Sequence, residues 1–127
     1  MECDNTIDEA KRYLDNAKEI LRDKAVKQDG YYTDSKYIRM AGNTMWNGCL
    51  LILADIFHLK PKKGRRLDIN DFKEAVSKRS KKLLNDVVEG YNIMHLYMGY
   101  DGTKDVPVVQ SGVQKMENII EWCEQNS

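Results

Sequence analysis

The sequence predicts an all-α fold: an antiparallel up-and-down four-helix bundle, with a short extra helix between the second and third long helices. Three observations carry that expectation. Residues 34–59 read as one long helix whose second half, Cys49 to Leu59, is almost wholly apolar, so other helices must cover it on every side. Three further stretches place apolar residues at alternating steps of three and four, the spacing of one helix face. The connections between long helices are short, which favours antiparallel neighbours. The only β-branched run, Val106 to Val109, is interrupted by Pro107.

Each element has its own signals. Thr6 followed by Glu9 is a capping-box pattern, and Ile7, Ala10, Leu14, Ala17 and Leu21 form the stripe of a first helix that Asp29-Gly30 is expected to end near Gln28. Thr33 or Asp34 caps the second helix, and Lys60-Pro61 stops it after Leu59. Gly42 and Gly48 fall inside that helix, where each costs roughly 1 kcal/mol relative to alanine, so close approach of a neighbouring helix is expected at both. Asp68 caps a short helix through Arg79, with Ile69, Phe72, Ala75 and Val76 inward. A third long helix starts near Ser80 and turns Leu84, Val87, Tyr91, Met94 and Met98 to the core before Gly99 and Asp101-Gly102 turn the chain. Pro107 suits the first turn of the last helix, whose stripe is Val109, Val113, Met116, Ile120 and Cys123, with Trp122 to one side.

One domain over residues 1–127 is expected, since 127 residues with 42% hydrophobic side chains can form a core without disulfides or metals. Lysine plus arginine equals aspartate plus glutamate, so net charge alone points to neither nucleic acid nor an anionic membrane. Its distribution is uneven: residues 60–82 hold ten basic and three acidic side chains, and both flanking regions are net acidic. Cys3, Cys49 and Cys123 are far apart and lack paired metal-ligand spacing, which points to reduced thiols in a cytoplasmic protein with no metal and no cofactor. The acidic start lacks the basic head and apolar run of a signal peptide, and the longest apolar run is far short of the ~20 residues of a membrane span, so no membrane partner is expected.

Candidate chemistry is sparse. His95 lies late in the third long helix, where the negative end of the helix dipole favours its protonated form. It reads either as an acid/base or RNA contact, or as a histidine hydrogen-bonded at a bundle or dimer seam. His58 reads as a residue at a helix end. Asp55 interrupts an apolar run and needs a partner, with a tyrosine hydroxyl, Arg39 or His95 as candidates for a buried polar network. Lys62, Lys63, Arg65 and Arg66, with Lys78, Arg79, Lys81 and Lys82, can neutralise several phosphates if the two clusters face one way; otherwise they are a solvated surface. Tyr31, Tyr32, Tyr97 and Tyr100 fall in or beside two turns that the bundle would bring to one end, as a recognition surface or as caps on the core. A small-ligand pocket among Met45, Trp46, Met94 and Met98 is a weaker reading, because methionines at such spacings usually fill cores.

With Lys36-Tyr37-Ile38-Arg39-Met40-Ala41-Gly42 opening the apolar second helix, the order of elements resembles the HEPN superfamily of bacterial helical bundles, and a small group of bacterial domains of unknown function near it. The resemblance implies the bundle and a homodimer. Catalytic members are metal-independent RNases recognised by an arginine, four to six intervening residues, then a histidine. At that spacing His95 is preceded by Val88, Glu89 and Gly90, and His58 by Leu51, Ile52 and Leu53, so the motif is absent. The expected function is therefore a non-enzymatic module for RNA or a partner protein. The alternative is an unconventional RNase using His95 with a cation from elsewhere, such as Arg39 or Arg79.

Overall fold

The stripe Ile7, Ala10, Leu14, Ala17 and Leu21 is buried as its spacing requires, on a first helix, α1 (Glu2–Ile20), that continues as a π-helical segment, Leu21–Ala25. The computed structural model describes residues 2–127, with side chains from Asn5 onward; the expected reduced thiol of Cys3 lies outside the described side chains. Two expectations for this helix need correction. Thr6 lies inside α1 rather than capping it, and its hydroxyl is engaged elsewhere. The helix also ends at Ala25, not Gln28. Val26, at φ 51°, breaks the helix, and Lys27–Gln28 (β1) pairs antiparallel with Tyr31–Tyr32 (β2). Asp29 and Gly30 both have positive φ, so this pair is the two-residue turn of a β-hairpin rather than a helix stop.

The hairpin does not stand alone. Tyr32 donates its backbone N–H to the Lys104 carbonyl at 3.0 Å, and Tyr31 bridges to Asp105, so the turn after α1 meets the turn before the last helix. Of the two candidate caps for α2 (Ser35–Ile56), Asp34 takes the role, its carboxylate accepting from the Lys36 N–H. The Thr33 hydroxyl instead donates to the Ala25 carbonyl at 2.7 Å and ties the hairpin to the end of α1.

α2 stops three residues before Leu59. His58 turns left-handed at φ 55°, its N–H reaching the Asp55 carbonyl and that of Leu59 the Ala54 carbonyl. This is a Schellman ending with histidine where glycine is usual. Replacing His58 with glycine removes a left-handed penalty of about 1–2 kcal/mol, against the greater freedom glycine gives the unfolded chain. His58→Gly is expected to stabilise the fold by about 0.5–1 kcal/mol in urea unfolding; a loss of stability would mean that the imidazole itself holds this corner.

α3 (Ile69–Ser77) is capped by Asp68, and Asp71 returns the favour to the Asp68 N–H, a reciprocal box that buries Phe72 and Val76. It ends two residues before Arg79. α4 (Lys81–Gly90) starts near Ser80 as expected, with the Ser80 hydroxyl as its cap, and runs into a second π-helical segment, Tyr91–Tyr100. The buried line is Leu83, Val87, Gly90, Met94 and Met98; Leu83 replaces the expected Leu84, and Tyr91 is only half-buried. α5 (Val106–Asn126), with Pro107 in its first turn, buries Val109, Gly112, Met116, Ile119, Ile120 and Cys123, while Val113 stays half-buried.

Among the described residues the fold is thus mostly helical, with five helices and one two-stranded hairpin, and their buried apolar side chains share a core. α2 is its axis, packed by α1, by the π segment after α4 and by α5. Both internal glycines of α2 lie at close approaches. A Cβ at Gly42 would stand 2.6 Å from the Met94 carbonyl oxygen and 2.8 Å from the Gly99 nitrogen, and one at Gly48 would stand 2.8 Å from the Tyr13 Cβ. No helix among the described residues is long and apolar enough to cross a membrane.

Candidate functional site

The packing of the second π segment against α2 opens a cleft of about 360 Å³ that continues to the start of α3. α2 contributes Asn43, Trp46, Asn47 and Leu50, the π segment Tyr91 and His95, and the α3 entry Leu67, Asp68, Ile69 and Phe72. The imidazole of His95 is 5.2 Å from the Tyr91 ring and 6.5 Å from that of Trp46, between centroids, and the Tyr91 ring meets Trp46 edge-on at 5.6 Å. His95 therefore sits in an aromatic box. The Asp68 carboxylate is occupied by the Asn70 and Asp71 N–H groups and serves as a helix cap.

The basic loop leads into the α3 side of this cleft, where Arg65 faces the lining residue Asp68 at 3.7 Å. Arg65 makes a bidentate pair with Asp71 at 2.7 and 2.9 Å, which holds the Asp71 carboxyl well below the usual carboxylate range and raises Arg65. That clamp pins the loop to the first turn of α3. Lys62, Lys63 and Arg66 remain exposed beside it. The second basic cluster lies at the other end of α3, about 13 Å away along nine residues of helix. There Lys78 faces Glu74, and the Arg79 guanidinium covers the stacked rings of Phe57 and Trp122 at 5.4 and 5.1 Å. Lys81 and Lys82 are exposed in the first turn of α4, where their charge adds to the positive end of the helix dipole.

The four tyrosines divide. Tyr31, Tyr97 and Tyr100 are 62%, 48% and 79% exposed, whereas Tyr32 is buried and packs in the core. Tyr32 thus leaves the expected recognition end. The expected Asp55–Arg39 network is also corrected. Asp55 is half-buried and accepts a hydrogen bond from the Thr6 hydroxyl of α1 at 2.5 Å. Arg39 is exposed and donates to the carbonyls of Tyr100 and Asp101, closing the end of the π segment. Sixteen residues on one helix span about 24 Å, so the two could never have met.

The polar group that is buried is one the sequence reading missed. Asp86 of α4 faces Lys115 at 3.5 Å and Asn118 at 3.4 Å, and Lys115 also pairs with Glu89. The Glu89 contact raises Lys115 above its ordinary value, with Asp86 adding to the effect. Cys49 is buried, and burial pushes its thiol far above the ordinary range, with Cys123 contributing. The pocket considered among Met45, Trp46, Met94 and Met98 is packed solid on its methionine side, since all three methionines are fully buried. Only Trp46 reaches the cleft. Arg39 and Arg79, the arginines considered as partners for His95, are engaged elsewhere and do not line it. Asn43 and Asn47, four apart on a largely apolar helix, were the overlooked signal for this site.

Residues 5–125 match the family described as "Domain of unknown function (DUF5618)". A search of curated proteins finds no match. A solved structure, a protein of unknown function from Dyadobacter fermentans, is similar over 98% of this chain and 98% of its own, with 43% identity and a TM-score of 0.89.

Proposed function

Because the chain belongs to the family described as "Domain of unknown function (DUF5618)", we propose a function from its cleft: a non-enzymatic module that binds single-stranded RNA. In this reading residues 1–127 form one HEPN-like domain, an antiparallel up-and-down four-helix bundle working in the bacterial cytoplasm. The carrying observation is the aromatic cleft, into whose α3 side a basic loop leads through the Arg65 contacts with Asp68 and Asp71. Tyr91 and His95 offer ring faces for a base, and the Asn43 and Asn47 amides offer donors and acceptors beside them. Lys62, Lys63 and Arg66 supply the phosphate contacts. Met40 and Leu51, exposed on the same face of α2 as the two asparagines, support a homodimer that sets two clefts side by side.

The test is fluorescence anisotropy with a labelled single-stranded RNA, read at 50 and 200 mM salt. Replacing Lys62, Lys63 and Arg66 with glutamate, while leaving Arg65 on its clamp, should weaken binding at least ~10-fold and flatten the salt slope by about 2, at roughly 0.7 per lost phosphate contact. His95→Ala should cost about tenfold through lost stacking. Unchanged affinity in the triple variant would remove the RNA reading and leave a protein partner. The same RNA separates the competing enzymatic reading, which the place of His95 in a π segment favours. Cleavage in the presence of a chelator that disappears in His95→Ala would make this an RNase.

A further inference from the structure

A second cavity, of about 430 Å³, lies between the end of α1, the hairpin and α5, away from the His95 cleft. Its size is that of a small-ligand pocket. Its floor is apolar: Leu21 and Tyr32 are nearly buried, and Val113 of α5 is half-buried against the core. Three cations, Lys18, Arg22 and Lys27, line it, with the Gln110 amide beside them. Nothing acidic lines the cavity itself. Lys18 faces Glu117 only at 3.4 Å, across a half-exposed pair, and Arg22 turns to its sequence neighbour Asp23. The half-exposed Lys18 pair is weak, whereas Arg22 holds Asp23 through two hydrogen bonds, at 2.8 and 3.0 Å, and a ligand anion must open or share that pair. Lys27 lies 5.9 Å over the Tyr32 ring.

The backbone around this cavity is irregular at successive points. α1 changes to i→i+5 winding at Leu21–Ala25, with the Val26 N–H reaching back to the Leu21 carbonyl at 3.2 Å. Val26, a β-branched residue, is then held at φ 51°, a conformation its side chain rarely adopts. π segments and strained residues concentrate where a fold builds a ligand site, because surrounding contacts must over-determine them. Here they bring Lys27 and Tyr32 of the hairpin opposite α5. A helix running straight on to Gln28 would build no hairpin wall.

We propose that this cavity is a binding site for a small amphipathic anion, a carboxylate head on an apolar body, with Arg22, Lys27 and Lys18 on the head and Leu21, Tyr32 and Val113 on the body. The site is independent of RNA binding in the His95 cleft. The experiment is a heteronuclear NMR titration of the full chain with decanoate and with 1-decanol, which shares the body but lacks the charge. Decanoate should shift the amides of Leu21, Tyr32, Gln110 and Val113 and bind at least ~10-fold more tightly than decanol, as charge-assisted contacts to more than one cation allow. Arg22→Gln with Lys27→Gln should bring decanoate down to the affinity of decanol, and Val113→Trp should weaken both. Equal binding of the two probes to the unaltered protein, or shifts confined to other residues, would overturn the proposal. The glutamine pair alters only solvent-facing side chains, so the test stands even if the tryptophan variant fails to fold.

Discussion

Adding a single methyl group at Gly42 is expected to cost the fold about 3 kcal/mol or more, the upper range for overpacking in a core that cannot yield. Alanine should gain roughly 1 kcal/mol over glycine in the middle of a helix, so intrinsic propensity predicts the opposite sign. Packing decides because of what the methyl meets. Its nearest neighbours are the Met98 Cβ at 2.5 Å, the Met94 carbonyl oxygen at 2.6 Å and the Gly99 nitrogen at 2.8 Å. Two of these are backbone and the third is fixed to it, so no side chain can rotate away. Relief requires α2 to separate from the π segment, which would also open the His95 cleft. Thermal melting of Gly42→Ala should show a midpoint lower by on the order of 10 °C. A midpoint unchanged or raised would mean that the two helices do not approach as closely as described.

Met94 carries the second large effect, and its neighbours make the effect specific. The side chain is fully buried and threads between glycines: its Cε lies 2.7 Å from where a Cβ would stand at Gly90, and its Cγ 3.7 Å from one at Gly112. Its sulfur also meets the Cys49 thiol at 4.0 Å. Met94→Ala should therefore cost about 2–5 kcal/mol, the lost transfer energy plus the cavity left behind. Gly90→Ala alone should be close to neutral, because the roughly 1 kcal/mol that alanine gains over glycine in a helix is offset by the shift its methyl forces on Cε, the flexible end of the side chain. In the Met94→Ala background that shift is gone, and the methyl fills part of the cavity. Gly90→Ala should then become stabilising, a coupling of about 1 kcal/mol in a four-protein urea cycle. Additivity to within about 0.3 kcal/mol would show that Met94 does not fill the space over Gly90.

These two contacts mark where the sequence could be read and where it could not. The stripes of α1, α3 and α5 were legible because a helix facing a core repeats its apolar residues every three or four positions, and most of those residues are buried. The cap at Asp68 was legible for the same local reason, and that of α2 was narrowed to Thr33 or Asp34. The π segments were not, since the choice between i→i+4 and i→i+5 winding at Tyr91–Tyr100 is made with α2 pressed against Gly99. The hairpin was legible in principle: Asp29-Gly30 is a strong turn signal. Strands as short as Lys27–Gln28 and Tyr31–Tyr32, however, show no alternation to support it.

The cleft divides the same way. His95 stood out as a titratable residue, but its box of Trp46 and Tyr91 depends on the stagger between two helices, which no spacing along one helix reveals. Asp55 needed a partner, as its apolar neighbours demanded, and found it in Thr6, assigned from sequence to a cap. The basic loop was read correctly as a charge cluster. Its orientation was not legible, because the clamp that sets it joins Arg65 to Asp71 only once α3 has formed.

The pairing of Tyr32 with Lys104 and of Tyr31 with Asp105 sets an order of events during synthesis. The two partners are more than seventy positions apart, so this ladder closes one of the longest loops in the chain and must wait for its far side to leave the ribosome. Until then the outer strand of the hairpin is an open edge, able to pair with another nascent chain. Its charge and shortness limit that hazard: Lys27 flanks the turn, and each strand is two residues long. A protein whose hairpin edge is covered only once the start of α5 has emerged has reason to keep that edge brief.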